Sequence, residues 1–204
     1  MSYDALAPVY ATLERLSFGC ALQRARCASL QAEAVPANVL VLGDGDGRFL
    51  EQAVKAWPSA TFVMVDQSAA MLAMAKRRVD TSRVRFLQAD VRESLGVIEG
   101  ERFDAVVSHF FLDCFTETMI KRLVPDVAAR LSSHAQWFVS DFAAKAWWQR
   151  GLLWLMYRFF HNLTETEAWR LPEYGEVLSR AGFSSKRLGN WRAGFVVADV
   201  WRRD

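Results

Sequence analysis

The sequence predicts an α/β fold in which a largely parallel sheet is covered by helices. Between residues 36 and 141, short apolar runs alternate with longer helical patterns. These runs are apolar throughout rather than at every second position, which is typical of strands buried on both faces of a parallel sheet. A glycine-rich segment joins the first run to a helical pattern, as in a strand–turn–helix unit that binds a ligand.

The elements of this α/β core follow one another in regular order. Strands are predicted at 39–42, 62–65, 84–87, 103–107 and 136–140, and helices at 48–56, 68–79 and 116–131. Outside the core, helices are predicted at 4–32, 143–161 and 171–183, the last with its C-cap at Ala181 and Gly182. The C-terminal residues predict two strands joined around Gly189 and Asn190, which would form an antiparallel pair at one edge of the sheet.

Length and composition indicate one globular domain. The chain has 204 residues, of which 52% are apolar, and its 25 basic and 23 acidic residues give a net charge of +2. So balanced a charge demands neither nucleic acid nor an anionic membrane as a partner. Three cysteines without a C-x-x-C pair argue against a zinc site, and no metal is expected. We expect a cytoplasmic protein, because neither a signal peptide nor a transmembrane segment is recognisable.

The segment VLVLGDGDGRFL, at 39–50, carries three glycines at alternate positions. Glycine allows positive φ and close approach of a ligand, and the start of the next helix adds unpaired N–H groups. The dinucleotide fingerprint G-x-G-x-x-G requires glycine where this chain has Arg48. Asp44 and Asp46 fill the gaps, where carboxylates would repel a pyrophosphate and favour a cation. The loop therefore predicts a cationic nucleoside without phosphate, and S-adenosylmethionine (SAM) fits.

Two further aspartates follow the next two predicted strands. Asp66 ends the run FVMVD, 21 residues after Gly45, where a carboxylate accepts hydrogen bonds from both ribose hydroxyls. Asp90 follows the third strand in FLQADVRE, where a carboxylate accepts from the adenine amino group. A loop or N-cap role is the alternative for each. Their order at successive strand ends favours contact with the ligand.

In the order and spacing of these motifs the chain resembles the class I SAM-dependent methyltransferases, particularly the small-molecule branch that includes the ubiquinone/menaquinone-biosynthesis type. The resemblance rests on YDALAPVY (3–10), VLVLGDGDGRFL (39–50), FVMVDQSAAML (62–72), VRFLQADVRE (84–93), FDAVVSHFFLDCF (103–115) and LSRAGF (178–183). It implies a Rossmann-like seven-stranded sheet with the last strand antiparallel, N-terminal helices, and a helical lid inserted after strand 5.

The same resemblance implies a division of the chain and a set of cofactor contacts. A single methyltransferase domain would comprise an N-terminal helical lid (1–35), a SAM-binding core (36–142), an aromatic cap helix (143–170), and a C-terminal helix with a strand pair (171–204). The glycines would line the methionine side of SAM, Asp66 would bind the ribose and Asp90 the adenine. The implied cofactor contacts are Tyr10, Gly43, Asp44, Gly45, Gly47, Asp66, Gln67, Met71, Asp90, Val91, Ser108 and His109.

One position departs from the family pattern. Members usually carry an acidic residue two positions before the first glycine, where it helps to organise the amino-acid end of SAM. This chain has Val41 there. Asp44 or Asp46 would have to compensate.

The acceptor is expected near the end of the fourth strand. Methyl transfer from a sulfonium is an in-line displacement, so the protein mainly aligns the reactants and excludes water. A base is needed only if the acceptor must lose a proton. His109 is the candidate for that base, and a packing histidine that also contacts SAM is the alternative. Asp113 is expected to orient His109 or the acceptor, with an N-cap role for the helix near Thr116 as the alternative.

The segment KAWWQRGLLWLMYRFFHN, at 145–162, predicts an aromatic helix. On a helical wheel one face holds Trp148, Leu152, Leu155 and Phe159, and a broad opposing face holds Trp147, Arg150, Trp154, Arg158 and His161. Apolar residues nearly all round predict burial on more than one side. We interpret the helix as a lid that lines an aromatic acceptor pocket. The alternatives are plain core with a dimer interface, and contact with a membrane surface.

The predicted acceptor contacts are Tyr3, Phe111, Trp147, Arg150, Trp154, Tyr157 and Arg158. Arg150, Arg158 and His161 would suit an anionic acceptor, although solvated charge on a lid is the simpler explanation. Methylation of a small, apolar or aromatic molecule at O, S or C, by a monomer or homodimer, is therefore the leading hypothesis. A non-catalytic SAM- or nucleotide-binding partner or regulatory protein is the second, which Val41 keeps open. A nucleic-acid methyltransferase is disfavoured, because the fourth strand leads into SHFF rather than an Asn/Asp-Pro-Pro-Tyr/Phe loop.

Overall fold

The computed structural model describes residues 18–32, 34–93, 95–163 and 170–203, with side chains of the helix ending at Leu163 described as far as Arg158. The strands are β1 (Asn38–Leu42), β2 (Thr61–Asp66), β3 (Val84–Gln88), β4 (Phe103–His109), β5 (Leu131–Phe142), β6 (Phe183–Trp191) and β7 (Val196–Arg203). They form one seven-stranded sheet in the order β3-β2-β1-β4-β5-β7-β6. β1 to β5 pair in parallel, and β7 runs antiparallel to both of its neighbours. The predicted Rossmann-like fold is confirmed.

Six α-helices are described. They are α1 (Ala21–Ala28), α2 (Arg48–Ala56), α3 (Ala69–Arg78), α4 (Glu117–Ala128), α5 (Trp147–Leu163) and α6 (Tyr174–Arg180). The helix predicted at 116–131 ends at Ala128, because β5 begins earlier than expected and Leu131 already pairs with Phe103. The helix predicted at 171–183 is likewise shorter. Residues 1–17 of the helical region predicted at 4–32 lie outside the described residues.

Two apolar clusters cover the two faces of the sheet. On one face, Leu123 of α4 and Leu178 of α6 pack against strand residues that include Trp137. On the other face, Phe49 of α2 and Leu72 of α3 do the same. β1 lies between β2 and β4, so the chain order reverses there. In open α/β sheets, this reversal opens a crevice at the carboxyl ends of the strands in which ligands bind.

The turn of the C-terminal strand pair lies four residues later than predicted. Gly189 and Asn190 are paired within β6, and the chain reverses at Arg192, Ala193 and Gly194, which all have positive φ. A Cβ on Gly189 would lie 2.7 Å from the Trp191 ring, so this glycine makes room for an aromatic side chain rather than for a turn. The prediction of a turn at Gly189 is therefore wrong, because this glycine is required for close packing within β6.

The cap helix α5 follows β5, as predicted, but it is buried along one face only. Gln149, Leu153 and Tyr157 are buried, with 2%, 8% and 5% of their surface exposed. The prediction that α5 is buried on more than one side is therefore wrong for its described side chains. Among the described residues, no helix has both the length and the apolarity required to cross a bilayer.

Candidate functional site

The glycine loop after β1 has the conformation that its sequence demands. Gly43, Gly45 and Gly47 have φ values of +62°, +61° and +80°, which favour glycine. The N–H of Gly43 donates to the carbonyl of Val65 at 2.9 Å, which ties the loop to the end of β2. A Cβ on Gly47 would lie 2.7 Å from the Cβ of Ala75, so the loop also packs closely on α3. The loop is therefore a rigid cradle at the carboxyl end of β1.

Asp44 closes the N-terminus of α2 with its own carboxylate. Its Oδ2 accepts from the N–H of Leu50 at 2.9 Å and its Oδ1 from the N–H of Phe49 at 3.3 Å. These donors are the groups that hold phosphate at a helix N-terminus in dinucleotide-binding folds. Burial raises the pKa of Asp44 to about 7, although both hydrogen bonds and the charge of Arg26 oppose that rise. A phosphate at this place would meet a carboxyl group instead of free donors.

Asp46, in the same loop, forms ion pairs and does not cap the N-terminus of α2. It is buried, and it forms ion pairs with Nε of Arg48 at 3.0 Å and with Nη2 of Arg78 at 2.7 Å. Its charge is thus balanced inside the protein between α2 and α3. The expectation that Asp46 compensates for the missing family acid is not supported, because its carboxylate is already held by two guanidinium groups.

Asp66 lies where the sequence predicts, at the end of β2 and beside the glycine loop. Its Oδ2 accepts from the N–H of Gly45 at 3.2 Å, and its Oδ1 accepts from the N–H of Ser68 at 2.9 Å. Both carboxylate oxygens therefore face backbone N–H groups at the junction of the glycine loop and the end of β2. The sulfur of Met71 lies 3.7 Å from the position of a Cβ on Gly45, which places this side chain against the same loop.

Asp90 and Gln67 are brought together by an arginine that the sequence analysis did not identify. Nε of Arg92 donates to Oδ2 of Asp90 at 2.9 Å, and Nη2 of Arg92 donates to Oε1 of Gln67 at 3.1 Å. This pairing lowers the pKa of Asp90. Val91 is buried next to it. The ends of β2 and β3 are therefore joined by a polar bridge at the edge of the crevice.

Ser108 and His109 lie at the end of β4 but project to opposite faces of the sheet. Oγ of Ser108 accepts from Nε1 of Trp137 at 2.8 Å within the core, so the predicted cofactor contact of this side chain is not supported. His109 is buried, with Nε2 3.4 Å from Oγ of Ser29 and its ring edge-on to Phe49 at 4.8 Å. Its Nδ1 is buried without a hydrogen-bond partner among the described groups. Burial, and then the charge of Arg26, lowers the pKa of His109 well below its usual value.

Arg26 of α1 is a site residue that sequence reasoning missed. It is 6% exposed, and its guanidinium lies 5.0 Å from the ring centroid of Phe110. Its charge acts on both Asp44 and His109. The only sequence signal is its position on the buried side of α1, next to Ala25 and one turn from Leu22. This buried cation borders the acidic end of the glycine loop.

Phe111 packs on the glycine loop itself. A Cβ on Gly43 would lie 2.2 Å from the Phe111 ring, and Phe110 before it has a φ of +52°. Positive φ is uncommon in a residue other than glycine and costs energy. The strained turn directs Phe111 onto Gly43. Phe111, predicted to contact the acceptor, therefore lies against the predicted cofactor loop.

Asp113 is paired with a buried acid that the sequence analysis did not identify, Asp141 at the end of β5. Oδ1 of Asp141 accepts from the N–H of Phe142 at 2.8 Å, its Oδ2 is buried without a hydrogen-bond partner among the described groups, and the neighbouring Asp113 acts on its carboxyl group. The hydroxyl of Tyr157, on the buried face of α5, donates to the carbonyl of Asp113 at 3.2 Å. The described contacts of Asp113 and His109 do not join them, so the expected orienting bond is absent there. Thr116, not Asp113, caps α4.

Burial shapes the chemistry of this carboxyl pair. It raises the pKa of Asp113 to about 6. Burial and the neighbouring Asp113 raise the pKa of Asp141 well above its usual value. Two carboxyl groups so placed retain a proton at neutral pH, because their charges repel each other in a medium of low polarity.

The remaining predicted acceptor contacts are not in the crevice. Trp147 and Trp154 are 85% and 60% exposed, and Arg150 and Arg158 are also exposed on α5. The prediction that these four side chains line an enclosed pocket is wrong, because α5 turns them away from its buried face. Tyr3 and Tyr10 lie outside the described residues.

A family model described as a methyltransferase domain matches residues 39–134. This stretch contains the glycine loop, Asp66, Asp90 and the turn after β4, at the ends of four successive strands of the sheet. The matched stretch is just under half of the chain, and it is similar to class I SAM-dependent methyltransferases of the small-molecule type.

Two curated methyltransferases are similar in sequence. A demethylmenaquinone methyltransferase from Thermus thermophilus is 37% identical over 112 residues, which are 53% of this chain and 50% of that protein. A malonyl-(acyl-carrier protein) O-methyltransferase from Paenibacillus sp. is 29% identical over 111 residues, 53% of this chain and 39% of that protein. The chain thus spans half the length, or less, of these two relatives.

Among solved structures, an O-methyltransferase family protein from Burkholderia thailandensis superposes with a TM-score of 0.75 at 15% identity. The superposition covers 98% of this chain and 59% of that chain. At so low an identity, the likeness shows a shared fold and nothing more.

The departure from the family pattern at Val41 has a clear structural setting. Val41 is fully buried, and it packs with Phe49 and Val107 in the apolar cluster beneath α2. The two aspartates of the loop differ in their partners. Asp46 is ion-paired to Arg78, whereas Asp44 accepts hydrogen bonds from backbone N–H groups of α2.

Proposed function

We propose that this chain is an enzyme that transfers a methyl group from SAM to a small, apolar or aromatic acceptor. The observation that carries the proposal is the arrangement of Asp44 and Asp66 around the glycine loop. Asp44 occupies the helix N-terminus that a phosphate would need, and Asp66 places a carboxylate against Gly45 of the same loop. This combination favours a nucleoside with a positive charge over a nucleotide.

The residues of the crevice match the chemical groups of SAM in order. Asp66 would accept from the ribose hydroxyls, and the Asp90–Arg92–Gln67 bridge would border the adenine. Gly43, Gly45 and Gly47 would lie along the methionine side. Asp44 would face the cationic amino group, and Arg26 would attract the carboxylate. SAM supplies an electrophilic methyl group on a sulfonium, and the protein supplies alignment and the exclusion of water.

Two groups compete for the role of base toward an acceptor that must lose a proton. His109 is fully enclosed beside a buried cation, which makes its imidazole a poor proton acceptor. The Asp113–Asp141 pair has one carboxyl group with a pKa of about 6 and a buried oxygen without a partner among the described groups. A base works best when its pKa lies near the working pH. We therefore assign the base role to the carboxyl pair, with Tyr157 positioning Asp113.

The proton balance of this step is simple. The carboxylate of the pair would take the O–H or S–H proton of the acceptor, and SAM would supply the methyl group to that acceptor atom. The C–S bond of SAM would break in the same step, leaving the methylated acceptor and S-adenosylhomocysteine. No external oxidant or reductant is required.

A SAM-binding protein without transferase activity is the second candidate, and Val41 is the observation that favours it. An apolar residue replaces the family's usual acid and is fully buried. In this case SAM would bind through Asp66 and the glycine loop, but no acceptor would be methylated.

Incubation with methyl-labelled SAM tests the proposal. The acceptor panel comprises phenols, thiols, fatty acids and quinone precursors, with products detected by mass spectrometry. Label is expected in at least one apolar acceptor with the wild-type chain, and it should fall sharply with Asp141→Asn. If SAM binds and no panel member acquires label, the non-catalytic candidate replaces the proposed one.

A further inference from the structure

We propose that the exposed face of α5 binds the surface of an anionic lipid membrane. This exposed cap face is formed by Trp147, Arg150, Trp154, Leu155 and Arg158. The inference concerns how the protein is held in place, and it does not depend on which reaction the crevice performs.

The first argument is the amount of apolar surface left in water. Trp147, Trp154 and Leu155 are 85%, 60% and 59% exposed. Trp148 and Leu152 extend the same surface and are 42% and 37% exposed. Single exposed apolar residues are ordinary, but a group of this size on one helix marks an interaction site. Tryptophan in particular is favoured at the boundary between lipid and water, because its ring is apolar and its N–H remains hydrated.

The second argument is the charge of the helix. From residue 143 to residue 163 the chain has three basic residues, Lys145, Arg150 and Arg158, and no acidic residue. Arg150 and Arg158 are exposed beside the tryptophans. Their long side chains reach out of an apolar layer toward phosphate groups. Basic residues near an anionic bilayer each add attraction, and aromatic residues add burial at the interface.

The charge distribution also decides between a membrane and a second copy of this chain. A symmetric dimer through α5 would place arginines of one copy against those of the other, with no acidic side chain from 143 to 163 to neutralise them. Like charges in contact oppose association. An anionic lipid surface instead complements every charge on this face.

The geometry suits a helix lying on the membrane rather than crossing it. The opposite side of α5 is fixed to the protein, because Gln149 donates to the carbonyl of Ala193 at 3.0 Å and Tyr157 donates to the carbonyl of Asp113. Leu153, which lies between them on the helix, packs in an apolar cluster with Phe142 and Phe195. The exposed cap face is therefore held outward, on the side of α5 away from Asp113.

The test is binding of the full chain to lipid vesicles, measured by co-sedimentation and by tryptophan quenching with brominated lipid. Vesicles of phosphatidylcholine alone are compared with vesicles that contain phosphatidylglycerol. The wild-type chain should bind the anionic vesicles at least tenfold more strongly, and added salt should weaken the binding. Trp147→Ser with Trp154→Ser should reduce binding by roughly tenfold or more, and the thermal midpoint should stay unchanged because both side chains are exposed.

A pair of charge variants isolates the electrostatic part. Arg150→Gln with Arg158→Gln should weaken binding to anionic vesicles by roughly tenfold to thirtyfold, as expected for two basic residues at a membrane surface. Arg77→Gln with Lys121→Gln removes the same charge from exposed positions on α3 and α4 and should have little effect. Sedimentation velocity of the same variants detects any dimer.

Three results would overturn the proposal. They are equal or absent binding to the two kinds of vesicle, binding that survives the double tryptophan substitution, and a wild-type dimer that the tryptophan substitution dissociates. The last result would assign the exposed cap face to a second copy of the chain. Calorimetry with SAM is unaffected by any of them, so the proposed function stands or falls separately.

Discussion

The N–H of Gly45 donates a hydrogen bond to Oδ2 of Asp66 at 3.2 Å, joining the loop after β1 to the end of β2. This contact fixes the separation between the glycine cradle and the carboxylate expected to bind ribose. The second oxygen of Asp66 accepts from Ser68, whose own hydroxyl caps α3 by accepting from the N–H of Met71 at 3.1 Å. One aspartate thus organises both the loop and the start of a helix.

The pKa of Asp44 predicts that SAM binding depends on pH. Asp44 has a pKa of about 7, so near neutral pH a substantial fraction is protonated and cannot attract a cation. A cationic ligand favours the ionised form, so affinity for SAM should rise as pH increases through about 7. Calorimetry from pH 6 to pH 8 measures this change. Asp44→Asn should weaken binding and remove most of the dependence on pH, whereas an unchanged profile in the variant would assign the titration to another group.

The Asp113–Asp141 pair predicts an unusual dependence of stability on pH. Both carboxyl groups have pKa values raised by burial, so the stability that their protons provide is present at low pH and is lost as pH rises through about 6 and above. Asp141→Asn keeps the shape and the acceptor for the N–H of Phe142 but removes the charge. The variant should therefore gain thermal stability relative to wild type between pH 5 and pH 8.

The control for this experiment is Asp104→Asn. Asp104 accepts from the N–H of Asn38 at 3.0 Å in an exposed setting. The thermal stability of Asp104→Asn should differ from that of wild type by a nearly constant amount between pH 5 and pH 8. A stability difference for Asp141→Asn that stays flat with pH would mean that Asp141 is ionised in the folded protein at ordinary pH.

The same pair predicts the pH profile of turnover. A base acts in its ionised form, so the rate with an acceptor found in the labelling screen should rise with pH through about 6. Asp113→Asn should lower the rate about a hundredfold or more, in line with typical contributions of general bases. It should also remove the rising limb of the pH–rate profile near pH 6. His109→Asn should keep the limb, because the buried imidazole is already neutral at that pH. Loss of the limb in His109→Asn alone would transfer the base role to the histidine.

Two glycines with the same φ separate backbone strain from close packing. Gly47 and Gly194 both have φ of +80°, but a Cβ on Gly47 would lie 2.7 Å from Ala75, whereas one on Gly194 would meet nothing within 4 Å. Gly194→Ala should cost about 1–2 kcal/mol of the free energy of unfolding, the usual penalty of the left-handed region. Gly47→Ala should cost about 1–3 kcal/mol more, because packed backbone must move. Urea unfolding measures both, and equal losses would contradict the close packing of loop and helix.

Part of this site was predictable because local sequence determines it. Glycines at alternate positions after a buried strand require a tight loop, and an aspartate that ends the next strand lies beside that loop whatever the rest of the chain does. The same rule, applied to the run QWFVSD, would have identified Asp141 at the end of β5. Asp141 lies at the end of the fifth strand, one strand beyond the last one at which the resemblance implies a cofactor contact.

Other features depend on tertiary packing that no local pattern reveals. Arg26 lies in a short helix with Arg24 two residues before it, and only the docking of α1 against Phe110 selects one of the two for burial. In α5 the apolar residues surround the helix, so periodicity does not identify the buried side. The side chain of Gln149 decides it, because its Oε1 accepts from the N–H groups of Lys145 and Ala146 and its Nε2 donates to the carbonyl of Ala193.

Isothermal calorimetry of the purified chain with SAM and with S-adenosylhomocysteine tests the central claim most directly. We predict binding of both, and a loss of roughly tenfold to a hundredfold for Asp66→Ala, the usual effect of removing hydrogen bonds to a charged group. Asp80→Ala, which removes an exposed aspartate that caps a short helix after α3, should leave binding unchanged. No heat with either ligand, or binding of NAD in their place, would contradict the account.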